Sequence, residues 1–131
     1  MLEMLKLAAK AALPTDENDA RNFLVGAAGR RADGATVFAR NGATFSSEIE
    51  SYRTIPQAHA EVRLLRKLGV GGTVWVARVS RKDGGLVMAR PCDMCQVFLR
   101  SKRVRKAYYS VSECQYGILY PMDDIDCVFS F

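Results

Sequence analysis

The stretch AHAEVRLLRKLGVGGTVWVARVSRKDGGLVMARPCDMCQVFLRSKRVRKAYYS, residues 58–110, decides the fold. Its opening is helical, with Ala58, Val62, Leu65 and Leu68 on or near one stripe. Gly69, Gly71 and Gly72 stop that helix. Val74-Trp75-Val76-Ala77-Arg78-Val79 is β-branched and aromatic, so Thr73 to Ser80 reads as a central strand, with Trp75 in the core. Arg81-Lys82-Asp83-Gly84-Gly85 is a turn and Leu86 to Ala89 a short apolar run. Pro91 opens a second helix through about Ser101, a favoured place for proline, and Val104 to Ser110 is strand again. Helices alternating with strands predict a layered α/β domain with a mixed sheet.

Working outward, Met1 to about Leu13 is rich in the helix formers Ala, Leu and Lys, and Pro14 to Asp19 is a polar loop after it. Phe23-Leu24-Val25-Gly26-Ala27-Ala28 begins a buried strand. Ala32-Asp33-Gly34 is a hairpin turn, because glycine takes the positive φ such a turn needs, and Ala35 to Arg40 returns as its second strand. Asn41-Gly42 ends that strand with another turn pair, and the polar run Ser46 to Pro56 fits no element. The tail, residues 111–131, reads as a helix or turn followed by an edge strand.

At 131 residues and 14.5 kDa the chain is sized for one domain, 1–131. With 49% hydrophobic and 25% charged residues its composition is that of a globular chain, which excludes disorder. No window approaches the roughly 20 apolar residues of a membrane span. Met1-Leu2-Glu3-Met4-Leu5-Lys6 carries an acid where a signal peptide wants bases, so the expected location is cytoplasmic, with no membrane partner.

Charge is unevenly spread. Residues 1–57 balance, residues 58–110 carry twelve bases against three acids, and residues 111–131 carry four acids and no base. An anionic ligand such as a phosphate would be steered to the middle segment, although a solvated helix face accounts equally well for its densest run, Arg100 to Lys106.

Four cysteines in a reducing compartment argue against a disulfide framework. Cys114 and Cys127 lack partners at ligand spacing and read as small apolar residues. Cys92 and Cys95 form a CxxC pair behind Pro91, and the chain's one histidine lies in His59-Ala60-Glu61 at the start of the preceding helix. Alone, the histidine reads as a surface or core residue and the CxxC as a redox pair. Together, HxE followed by PCxxC is the signature of zinc deaminases.

The chemistry suits the spacing. Thiolates at i and i+3 project from one face of a first helical turn, where the helix dipole favours their charge. With the His59 imidazole they make three ligands, and a zinc ion so held keeps a fourth position open, as catalytic sites do. Residues i and i+2 point roughly 200° apart around a helix, so Glu61 can share a target with His59 only off the helix N-terminus. There it could take and return a proton as general base and acid, or merely complement the dipole.

From Phe23 to Tyr109 the chain resembles the cytidine and deoxycytidylate deaminase superfamily. Phe23 to Ala28 is similar to that superfamily's FxVGAA strand, and Pro91 to Cys95 with Arg103-Val104 and Tyr108-Tyr109 resembles its tRNA-adenosine and deoxycytidylate members. The resemblance implies a three-layer α/β/α fold of about five strands, one Zn²⁺ on His59, Cys92 and Cys95, and Glu61 as the catalytic proton shuttle. It further implies substrate contacts through Phe23 on the base, Asn41 on the sugar and the Ala60 backbone N–H, and a homo-oligomer. Two departures stand out: small cytidine deaminases present Cys-Ala-Glu where this chain has His-Ala-Glu, and their sugar clamp needs an acid where this chain has Ala43.

The expected activity is hydrolytic deamination of cytosine in a free pyrimidine nucleotide or nucleoside, releasing ammonia and a uracil product. Two alternatives remain: deamination of cytosine or adenine in single-stranded DNA or RNA, and a non-catalytic zinc-containing nucleic-acid-binding module. The second alternative leaves Glu61 without a use.

Overall fold

The structure is a computed structural model that describes residues 2–14, 21, 23–42 and 59–131. Its described elements are α1 (Leu2–Ala12), β1 (Leu24–Arg30), β2 (Thr36–Arg40), α2 (Ala60–Leu68), β3 (Thr73–Val79), β4 (Leu86–Val87), α3 (Asp93–Ser101), β5 (Lys106–Ser110), β6 (Gln115–Tyr120) and β7 (Ile125–Ser130). The strands form one mixed sheet in the order β2-β1-β3-β5-β6-β7, with β4 pairing β3. The β3–β5 pair is parallel and the others are antiparallel.

Alternation along β3 sorts the two faces. Val74 and Val76 point into a core shared with Leu64, Leu65 and Leu68 of α2 and Leu99 of α3. Trp75 and Ala77 point the other way, against Leu5 and Ala8 of α1. The result is helix on both faces of a mixed sheet, the expected three layers. Gly26 is what lets α1 approach: a side chain there would overlap the Ala8 carbonyl.

Several expectations shift. The sheet has seven strands rather than about five, because β4 joins it and the tail folds as a β6–β7 hairpin rather than as a helix or turn before one edge strand. Helix α3 begins at Asp93, with Pro91 ahead of its cap rather than inside it. The next strand begins at Lys106 because Arg103 takes a left-handed φ of 56°. The Val104 N–H then reaches back to the Leu99 carbonyl at 3.0 Å and closes the helix end. Cys114 and Cys127 are exposed, not packed. Met1, most of the loop through Asp19, Ala43, the run Ser46 to Pro56 and Ala58 lie outside the described residues. Among the described residues no helix is long and apolar enough to cross a membrane.

Candidate metal centre and substrate cleft

The N-termini of α2 and α3 meet at one end of the sheet. His59 caps α2 with extended backbone, φ −72° and ψ 141°. Cys92 caps α3 in the same conformation, φ −68° and ψ 167°. Neither side chain closes its own helix, which leaves both free for another task. Because His59 stands outside the helical geometry, the opposition between i and i+2 does not apply, and it shares a corner with Glu61.

Three ligand atoms converge there: those of His59, Cys92 and Cys95 all lie within 4.8 Å of one another. His59 Nδ1 is 3.2 Å from Cys95 Sγ and 3.7 Å from Cys92 Sγ. Glu61 is 6% exposed and shares a hydrogen bond with the Cys95 side chain. Electrostatics tie the four together. Hydrogen bonds from Cys95 and His59 pull the Cys92 thiol down to about 4. The hydrogen bond to Cys92 raises the His59 imidazole, and the bond to Cys92 followed by burial raises the Cys95 thiol. Burial raises the Glu61 carboxyl.

Supports hold the loop ahead of Cys92. Gln96, buried on α3, donates from Nε2 to the Pro91 carbonyl at 2.8 Å. Ser110 is fully buried where β5 ends: its hydroxyl accepts from the Arg78 N–H at 3.1 Å and donates to the Val87 carbonyl at 2.7 Å. Its own carbonyl accepts from the Ala89 N–H at 2.8 Å. One small hydroxyl residue thus ties together β3, β5 and the approach to the cysteines.

A cleft of about 280 Å³ opens over this corner. His59, Ala60, Glu61 and Cys92 line it, and Phe23, Asn41, Arg78 and Arg90 are also in its wall. All the candidate residues therefore line the cleft except Cys95, which is buried but joins the cluster through His59 and Cys92. Phe23 is 53% exposed, so it is a wall residue and not core, and the Arg78 guanidinium lies 4.4 Å from its ring centroid. Asn41 is already occupied: its Oδ1 accepts from the Val25 N–H and from Arg21 Nη1, and its Nδ2 donates to the Phe23 carbonyl at 2.7 Å. One Nδ2 proton remains for a ligand. Ala60 is the first helical residue of α2, and its N–H belongs to the end of a helix where such groups lack an intrahelical acceptor.

Arg78 was missing from the sequence-derived site, although a cation inside the apolar run Val74 to Val79 was a visible signal. A second hollow of about 430 Å³ shares Phe23, Arg78 and Met88 with the cleft and adds Lys82.

No protein-family model and no curated protein matches the sequence. Among solved structures, the chain is similar to a crystal structure of a mutant cytidine deaminase from Mycobacterium tuberculosis. The two share 22% identity over 86% of this chain and 89% of that one, with a TM-score of 0.49.

Proposed function

We propose that the protein is a zinc-dependent deaminase that converts the cytosine of a free pyrimidine nucleotide to uracil with release of ammonia. The observation that carries this reading is the convergence of one imidazole and two thiols beside a buried carboxyl, at an open cleft. The donor set fits the ion: two thiolates and a neutral imidazole suit Zn²⁺, the thiolates balance its charge, and three ligands leave a coordination position open. When bound by His59, Cys92 and Cys95, zinc supplies Lewis acidity that brings a water's pKa near neutrality.

The chain's own residues do the rest. Glu61 removes a proton from the attacking water; as the new bond forms at C4 of the ring, electrons move onto N3, and Glu61 returns the proton there. It then takes the proton of the new C4 hydroxyl and passes it to the amino nitrogen; the C4–N bond breaks, ammonia leaves and C4 becomes the uracil carbonyl. Burial raises the carboxyl toward the range where it can both take and give a proton. Phe23 packs on the ring, and the Ala60 N–H and the remaining Asn41 Nδ2 proton orient base and sugar.

Ammonia release from a panel of cytosine, adenine and guanine compounds tests the reading. Turnover of cytosine nucleotides is expected, and silence toward every cytosine compound by zinc-loaded protein would overturn it. The second hollow with Arg78 and Lys82 favours one further reading, a single-stranded polynucleotide substrate whose flanking phosphates lie there. In that case oligonucleotide binding falls steeply with log salt, each phosphate contact adding roughly 0.7 to the slope.

A further inference from the structure

Arg90 stands directly before Pro91-Cys92 and lines the cleft, yet it is held from far away in the chain. Its Nε donates to Asp126 Oδ2 at 2.5 Å. The other oxygen of the same carboxylate, Oδ1, accepts from the Tyr109 hydroxyl at 2.6 Å. Tyr109 is 1% exposed, and its ring lies across Gly117 on the neighbouring strand, where any side chain would overlap it. Three strands, β5, β6 and β7, therefore cooperate to fix one exposed guanidinium.

An isolated surface pair of this kind contributes little to stability, about 0–1 kcal/mol. Here both carboxylate oxygens are engaged and one partner is buried, which fixes direction as well as proximity. Nε is the nitrogen used, so the two Nη nitrogens, with no other partner among the described residues, remain as a fork. The arginine side chain is 44% exposed, so the fork is open to a ligand. Such a fork matches a phosphate's paired oxygens. Arg78 and Arg90 are the cleft's arginines, and Glu61 is the one acid among the described residues that line it. The cleft wall thus carries two guanidinium groups, with its one acid beside His59.

We infer that Arg90 is the residue that recognises the substrate's phosphate, and that Asp126 and Tyr109 are positioning residues that aim it. This rests on the nucleotide reading above and assigns the group that selects a nucleotide over a nucleoside. Zinc-loaded protein is assayed with deoxycytidylate and deoxycytidine, and binding of deoxyuridylate and deoxyuridine is measured by calorimetry. Arg90→Ala lowers kcat/KM for the nucleotide roughly ten- to hundredfold more than for the nucleoside, the scale of a charged hydrogen-bonded contact, and weakens deoxyuridylate binding in parallel. Arg90→Lys recovers part of the charge but not the fork. Asp126→Asn shifts the same ratio in the same direction by less, mainly through KM, and Tyr109→Phe by less again.

An unchanged nucleotide-to-nucleoside ratio in Arg90→Ala, with wild-type protein active, overturns the inference and leaves the deaminase reading standing. Wild-type protein inactive on every cytosine compound overturns both. A loss in Arg90→Ala confined to a cytosine-containing oligonucleotide, with the mononucleotide untouched, overturns the mononucleotide assignment. A fall in melting temperature for Asp126→Asn without any change in the ratio shows a purely structural pair and overturns its positioning role.

Discussion

The candidate metal corner and the C-terminal hairpin are built on opposite terms. At the corner, the functional groups stand on the ends of two helices whose other faces are packed into the main core, and Glu61, Cys95, Gln96 and Ser110 are all buried. In the hairpin, every residue of β7 is exposed, and the ring of Tyr116 stacks on Phe129 and meets Phe131 at a tilt. The contrast teaches that precision at a reaction centre and tolerance at a sheet edge can coexist in a small fold when one strand, β5, belongs to both.

The comparison can be broken first at the metal. Purified protein is expected to hold about one zinc per chain, and His59→Ala or Cys92→Ser loses it together with much of the stability, because ligation and folding are coupled. Elemental analysis and thermal melting read both; full zinc in Cys92→Ser removes the corner's special status. Affinity should also fall as pH drops, since His59, raised by Cys92, and Cys95, raised by Cys92 and burial, must each give up a proton to bind. Zinc titrations at several pH values check this, and an affinity that does not change with pH would mean that binding displaces no proton from these groups.

Next in size is Glu61→Gln, which keeps shape and polarity but cannot move a proton. Zinc content and fold persist while turnover drops by on the order of 10²–10⁴. Turnover close to wild type would mean that the corner holds metal without using its acid.

Stability sharpens the contrast further. Leu64→Ala, fully buried under the sheet, costs about 2–5 kcal/mol by urea denaturation. Phe129→Ala in the hairpin costs less than about 1 kcal/mol, as for an exposed site. Equal costs would show that β7 is part of the main cooperative core.

How much of this was legible follows the same divide. His59, Glu61, Cys92 and Cys95 could be grouped from sequence because each pair is close along the chain and each sits at a helix start that proline or apolar spacing announces. The three layers followed from the alternation across residues 58–110, where period and strand propensity agree. The hairpin could not be read, because Ile125 to Ser130 buries neither face and so has no need of a clean apolar alternation. Its acids Asp123 and Asp124 look like a loop, and Asp124 does turn there, with φ 54°. Nor could Asp126 be linked to Arg90, since a contact across such a span leaves no local trace. The sequence favours core packing slightly over a base contact for Phe23, but its exposure puts it in the cleft wall, while the turn residue Asn41 proves to be a strap for β1.

The parallel pair β3 with β5, the one such pair among the described strands, has a consequence for how the chain is made. Its two strands are joined through β4, the cysteine loop and α3, so all three candidate ligands, His59, Cys92 and Cys95, leave the ribosome before β5 does. During synthesis the ligands are therefore complete while the strand that anchors their loop through Ser110 is still missing. Pairing between distant segments is slow to form. An ion captured early would be held by loosely placed thiols, and only the docking of β5 would turn a chelating peptide into a shaped cleft.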